Sequence, residues 1–370
     1  MAKDKMNVQQ LINDFNKHFG EEILGFGVHH NEYDVLKFSS PVPNRMMYGG
    51  LPRGRCIEFF GDEGSGKTTT ALDIVANAQP LFKDEWENER TELKEKGTKS
   101  ALARLEQIEN DGPKKVLYVD VENTLDEAWA TTLGVNTDEL VVLKPMSQNA
   151  EQLLEMVYQF MLTGQIGLVI LDSIAAMVSG QAFDTSIEQR TYAGIAMPMT
   201  EFSNKAEMAC AQTGCTLIGI NQMRDALNVT YGPKTKTPGG RAWKFICSVR
   251  IQFRKGSMVN ELGKEVRKSD TEAAGNLVEL SIVKTKVCKP DRRNGAYTLS
   301  YDNGVLAEAD WLGLGIIMGF INQRGSVFDI CDATTGEVIA SVKGQKEALT
   351  YLSENKELLN SYNKVLQEVG

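Results

Sequence analysis

The chain has 370 residues, 42% hydrophobic and 24% charged, so it can bury one large core with a smaller second unit and is neither fibrous nor disordered. Forty Lys and Arg stand against forty-nine Asp and Glu, a formal charge of -9; no overall basic excess announces a polyanion partner, and nucleic-acid binding would need a local patch. The opening MAKDKMNVQQ has no apolar targeting core and no window offers the roughly eighteen uninterrupted apolar residues of a membrane span. The expectation is a cytoplasmic protein, of a bacterial cell or of a host cell if the chain is viral, with no membrane partner. Six cysteines and three histidines are scattered without metal-ligand spacing, which predicts reduced, buried thiols.

Val8, Leu11, Ile12, Phe15 and Phe19 recur at steps of three and four and predict an amphipathic helix over residues 6 to 19. Asn31 to Arg55, rich in Pro and Gly, reads as a turn-rich linker. Apolar runs at Cys56 to Phe60, Lys115 to Val121, Leu168 to Asp172 and Thr216 to Asn221 alternate with helical stretches after Lys67, at Asn149 to Thr163 and at Pro198 to Gln212. Apolar strands alternating with helices predict an α/β fold with a mainly parallel twisted sheet covered on both faces. Strands Ser248 to Arg254 and Asn276 to Lys284, and a hairpin reaching Leu306, extend it. Residues 307 to 370 change character, with an apolar helix around Trp311 to Ile321 and a polar helical tail, and read as a small α+β C-terminal domain. Residues 81 to 111 are dense in Lys and Glu and interrupted at Gly97, a solvated helical insertion in a core running from 41 to 306.

The sharpest motif is Gly61-Asp62-Glu63-Gly64-Ser65-Gly66-Lys67-Thr68, followed by Thr69, between a predicted strand and a predicted helix. Its glycines permit a tight loop whose N–H groups face phosphate oxygens, and the helix N-terminus adds a favourable field for the anion. Lys67 would cover the β- and γ-phosphates of ATP, and the Thr68 hydroxyl would ligate Mg²⁺. Asp172 ends the apolar strand LVILD, where a carboxylate reaches the ligand crevice of an open α/β sheet and would hold the metal's hydration shell. Glu122, after the strand LYVDV, emerges beside the same crevice and is assigned as the base that polarises a water. Asp120 is the structural candidate, and spacing alone does not separate the two.

These residues, in this order, resemble the RecA recombinase family. GDEGSGKTT resembles the family's phosphate loop, and LYVDVENTLD resembles the segment whose Glu is the catalytic carboxylate, here Glu122. The resemblance puts Asp126 and Trp129 against adenine, with Trp where the family usually has Tyr, and a flat ring serves either way. GLVILDSIAAM resembles its second acidic strand, and IGINQMR the strand end whose Gln, here Gln222, senses the γ-phosphate.

Residues 223 to 240, up to Gly239 and Gly240, resemble the family's second DNA-binding loop. From Met223 to Lys255 there are eight basic residues, among them Arg224, Lys234, Lys236, Arg241 and Lys244, against one acid. This is the local patch that the net charge conceals, and Leu227 and Tyr231 within it can pack on bases. The first DNA-binding loop corresponds to 179 to 197, where the chain departs from the family by having Pro198 where an Arg is common. Lys284 and Lys286 resemble paired lysines that reach a neighbouring subunit's ATP, although two alternating lysines on an edge strand are ordinarily solvation. The resemblance implies a polymerisation helix and linker over residues 1 to 40. It also implies a helical filament on single-stranded DNA that admits a duplex and promotes homologous pairing and strand exchange with ATP hydrolysis. A hexameric DNA motor built on the same core is the alternative.

Overall fold

A computed structural model describes residues 8–19, 34–183, 194–225, 235–267 and 273–368. The chain divides into two compact units, Met1–Asp34 and Val35–Gly370. The first holds helix α1, Val8–Phe19, twelve residues with Lys17 and His18 in its last turn, a C-terminal placement of positive charge that suits the helix dipole.

The second unit begins where a linker was expected, and from Val35 onward that expectation fails. Strand β1 (Val35–Leu36), helix α2 (Pro41–Met46) and strand β2 (Leu51–Pro52) fold onto the core. Leu36, Phe38, Met46, Met47 and Leu51 are all buried: the prolines that suggested a linker open a helix instead, with Ser40 accepting from the Val42 N–H as its cap. Next come β3 (Cys56–Gly61), α3 (Lys67–Lys96), α4 (Lys99–Asp111), β4 (Lys115–Asp120), α5 (Glu127–Thr132), β5 (Leu140–Leu143), α6 (Ala150–Leu162), β6 (Ile166–Asp172), α7 (Gly180–Phe183) and α8 (Ala196–Thr213). They are followed by β7 (Thr216–Gln222), β8 (Arg224–Asp225), β9 (Thr235–Lys236), α9 (Gly240–Ile246), β10 (Val249–Val259), β11 (Gly275–Thr285), β12 (Asn294–Ser300) and β13 (Gly304–Val305). The short elements α5 and β5 were not legible, because they offer too few residues for a period to establish itself.

The nine-stranded sheet has the order β13-β12-β11-β10-β3-β7-β6-β4-β5. Strands β10, β3, β7, β6, β4 and β5 run parallel, while β11, β12 and β13 continue the sheet antiparallel. Strands β3 and β6 are buried along their whole length, with helices covering both faces. The chain passes from β3 through α3 and α4 to β4, skipping the positions of β7 and β6, so the carboxyl ends of β3, β7, β6 and β4 open on one crevice at a switch of strand order.

The charged insertion is a helical hairpin. Gly97 ends α3 in the left-handed conformation with its N–H on the Leu93 carbonyl, and Thr98 caps α4. Trp86 Nε1 donates to the Ile108 carbonyl at 2.8 Å under the Arg90 guanidinium, and Arg90 and Arg104 pair with Glu109 and Glu89. Each such exposed pair contributes little, so the hairpin rests on Ala101, Leu105 and Ile108 packing inward.

Residues after 306 form α10 (Ala307–Met318), the three-stranded antiparallel sheet β14 (Ile321–Arg324), β15 (Val327–Cys331) and β16 (Val338–Lys343), and helices α11 (Gln345–Glu354) and α12 (Lys356–Glu368). Ile321 starts a strand rather than ending the helix, since Gly319 stops α10 at positive φ. Trp311, Phe320, Leu352 and Tyr362 gather in a hydrophobic cluster separate from the two that flank the large sheet.

Candidate functional site

The loop after β3 is held so tightly that two of its glycines are obligatory. A Cβ on Gly61 would stand 2.2 Å from the Phe253 carbonyl oxygen, and one on Gly66, at φ +90°, 2.9 Å from a Val278 methyl. Ser65 Oγ donates to the Asp62 carbonyl at 2.7 Å. Lys67 Nζ donates to the carbonyls of Gly61 at 3.1 Å and Asp62 at 2.5 Å. Burial pulls the Lys67 ammonium below the ordinary lysine value, opposed by Asp172, Asp62 and Glu122.

The strands beside β3 deliver the other groups. Thr68 Oγ1 donates to Asp172 Oδ2 at 2.8 Å, and the Tyr118 hydroxyl donates to the same oxygen at 2.7 Å. Burial pushes the Asp172 carboxyl up, and these two hydrogen bonds pull it back. Glu122 Oε1 accepts from the Ser173 hydroxyl and, at 3.2 Å, from Gln222 Nε2. Asp120 is buried with its oxygens accepting the N–H groups of Thr124 and Leu125 at 3.0 and 3.1 Å. Asp120 thus shapes the turn, and Glu122 faces the crevice.

The crevice has a volume of about 270 Å³ and is lined by Glu63 to Thr69, Glu122, Asp172 and Gln222, joined by Ser173, Lys255, Asn276 and Tyr301. The last four lie far apart in sequence, and strand pairing alone brings them together. Lys255 Nζ lies 5.7 Å from the centroid of the Tyr301 ring. This residue, counted above in the DNA patch, stands on the crevice because it lies on β10 two residues beyond Phe253, the partner of Gly61. Asp126 caps α5 by accepting the Trp129 N–H at 3.0 Å, and Trp129 is half-buried against the core; neither lines the crevice.

Among the described residues no group of three or more His, Cys, Asp or Glu could hold a metal ion by itself. Thr68 and Asp172 do fit Mg²⁺: they place a hydroxyl and a carboxylate oxygen 2.8 Å apart on the crevice, and Mg²⁺ at phosphate sites takes one or two protein ligands and completes its shell from phosphate and water.

A second, larger pocket of about 680 Å³ is walled by Arg224, Lys236, Arg241 and Lys244, with Gly239, Gly240 and Ala175. Arg224 Nη2 donates to the Ala175 carbonyl at 2.8 Å, while the buried Thr237 Oγ1 has no hydrogen-bond partner among the described residues. Leu227, Tyr231 and Lys234 lie outside the described residues, as do residues 184–193 of the first loop. Lys284 Nζ donates to the carbonyls of Lys244 and Phe245, 2.7 Å each, at the C-terminal end of α9, and Lys286 Nζ lies 5.1 Å from the Phe245 ring. The edge-strand reading of these lysines needs correction: β11 is interior, between β10 and β12, and only its end beyond Ser281 lacks a β12 partner. Lys284 pairs with Arg250, level with Glu58 rather than with the phosphate loop, and does not line the crevice of its own chain.

Among the described residues no helix is long and apolar enough to cross a membrane. A family model described as RecA N-terminal domain matches residues 6–83 and 92–306, and the unmatched stretch falls in the outer half of α3. The chain is 32% identical over 320 residues to Protein RecA of Streptomyces rimosus, covering 86% of this chain and 72% of that one. It is equally similar to Protein RecA of Mycobacterium avium, with 78% of that chain covered, and 30% identical to that of Rickettsia canadensis, with 79% covered. A solved RadB recombinase chain superposes at a TM-score of 0.47 and 15% identity over 73% of this chain and 98% of that one. With a matched model across most of its length and the phosphate loop, acidic strand ends and Gln222 gathered at one crevice, this chain belongs to the RecA family of ATP-dependent recombinases.

Proposed function

We propose that the chain hydrolyses ATP in a helical filament assembled on single-stranded DNA, and that the filament admits a duplex and promotes homologous pairing and strand exchange. One observation carries the reading. Glu122, at the nucleotide crevice, accepts a hydrogen bond from Gln222, and two residues later Arg224 stands in the basic pocket. Nucleotide chemistry and the polyanion surface are thus two ends of one strand terminus.

Lys67 and the loop N–H groups hold the β- and γ-phosphates, for which Lys67 exchanges its carbonyl partners. Thr68 and Asp172 hold Mg²⁺, which supplies positive charge against the phosphate oxygens. Glu122 orients a water and takes its proton; Oε2 accepts no hydrogen bond among the described residues, because Ser173 and Gln222 both use Oε1. Tyr301 offers its ring face at the mouth of the crevice. Gln222 reports the γ-phosphate to the segment after it, and Arg224, Lys236 and Arg241 hold the DNA backbone, with the sequence read by base pairing. Lys284 and Lys286 complete the crevice of a neighbouring subunit.

The test is ATPase rate with and without single-stranded DNA, with electron microscopy of the same samples in a slowly hydrolysed ATP analogue. DNA stimulation with helical filaments is the expected outcome. Closed rings would make the chain a hexameric motor, and no response to DNA would overturn the coupling. Lys286→Ala should lower DNA-stimulated turnover while leaving the thermal melt of the monomer in place, whereas Lys284→Ala should lower both, because its ammonium also holds the last carbonyls of α9.

A further inference from the structure

Strand β3 carries a carboxylate where an apolar side chain would be expected. Glu58 is fully buried in the centre of the sheet, a placement that is unfavourable unless both oxygens are satisfied. Its Oε2 accepts from Arg250 Nε on β10, whose guanidinium lies over the Phe60 ring at 4.7 Å. Its Oε1 accepts from Asn221 Nδ2 at 2.9 Å. The same amide nitrogen donates to the Pro238 carbonyl at 3.1 Å, and Asn221 Oδ1 accepts the Gln222 N–H at 3.1 Å. Both donor positions of this amide are therefore used, and it is buried among its partners.

Pro238 sits between β9 and α9, on the returning limb of the segment that leaves β7 after Gln222; the outgoing β8 and returning β9 pair antiparallel at Arg224↔Lys236 and Asp225↔Thr235. A continuous path therefore runs from Glu122 through Gln222 to Asn221 and on to Pro238, and Glu58 with Arg250 anchors its middle. A hydrogen-bonded chain in a buried site transmits displacement, because an unmade bond there is costly. Asn221 thus adds a side-chain link between Gln222 and the returning limb to the backbone pairing of β8 with β9.

We infer that Asn221 is a positioning residue that makes DNA affinity depend on the bound nucleotide, by tying Gln222 to the Pro238 limb of the basic pocket through an amide anchored on Glu58. The inference rests on the function proposed above and adds a named link to it. Arg250→Lys leaves both Glu58 oxygens in place for Asn221 and loosens only the ionic partner, so it should lower stability and leave the coupling intact. Asn221→Ala should do the opposite.

The experiment measures the affinity of a fluorescent single-stranded oligonucleotide for the full chain with Mg²⁺ and either ADP or a slowly hydrolysed ATP analogue, alongside thermal melts. In Asn221→Ala the ratio of the two affinities should shrink by about tenfold, the size of one lost buried hydrogen bond, with the ADP-state affinity retained. Arg250→Lys should keep the wild-type ratio despite a lower melting temperature. If Asn221→Ala does not fold, Asn221→Ser, too short to span Glu58 and Pro238, serves in its place. A wild-type ratio in the Asn221 variants, or a ratio that falls in step with melting temperature in all of them, overturns the inference. A wild-type protein whose DNA affinity ignores the nucleotide instead overturns the proposed function, a result distinguishable because it appears before any substitution.

Discussion

The two pockets of the core share the ends of β6 and β7 and differ in how their charges are satisfied. In the nucleotide crevice Lys67, Thr68, Asp172 and Glu122 each hold a hydrogen bond to another group of the site, so its geometry is set before a ligand arrives. In the basic pocket Lys236 and Arg241 make no ion pair among the described residues, and only Arg224 is tied, to a carbonyl. A site for localised chemistry is preorganised, whereas a surface for a flexible polyanion keeps its cations in reserve.

Removing a held group should therefore cost far more than removing a reserve one. Lys67→Ala is expected to lower ATP turnover by at least about a hundredfold, the scale of losing one preorganised phosphate-facing charge; a near-normal rate would mean that the loop is not the phosphate site. Glu122→Gln should keep nucleotide and DNA binding, because Ser173 and Gln222 retain an oxygen partner, and lose hydrolysis by about a hundredfold. Rapid turnover in that variant would hand the role of base to another carboxylate.

On the other side, Lys236→Ala with Arg241→Ala should weaken single-stranded DNA binding and reduce the slope of log affinity against log salt by about one per phosphate contact removed. DNA-independent ATPase should hold its value, and a fall in that rate instead would erase the distinction between the pockets. The smallest expected effect lies away from both. Asp310 on α10 is buried, accepts from the Thr298 N–H and hydroxyl at 2.9 and 2.8 Å, and burial pushes its carboxyl up to about 7; Asp73 rises to about 6 for the same reason. The folded state then binds these protons more tightly than the unfolded chain, so the stability they contribute is complete below the ordinary value of 3.8 and is lost as pH rises through about 6 to 7. Asp310→Asn should flatten the melting-temperature profile between pH 5 and pH 8, and an unchanged slope would assign it to Asp73.

The phosphate loop, the long strands and helices and the hinge of the insertion at Gly97 were legible in sequence because each is a local pattern: a glycine spacing, an apolar run, a helix breaker. Gly61 and Gly66 were legible as a motif, but the contacts that require them, the Phe253 carbonyl and a Val278 methyl, come from strands about two hundred residues away. Asp120 and Glu122 share one segment and equal chemistry, and only the backbone N–H groups that Asp120 accepts separate them. Residues 35 to 52 misled because proline at a helix start and proline in a linker look alike until the apolar neighbours are seen to be buried.

Local sequence determined the ATP-handling chemistry and the family, since a phosphate loop and strand-end carboxylates need only their own few residues to be recognised. Tertiary structure decided which carboxylate faces the crevice, that Lys255 and Tyr301 join it, and that Asn221 and Glu58 link it to the basic pocket. The physical reason is that these outcomes depend on strand order and register, which are set by burial across the whole sheet and by no single segment of the chain.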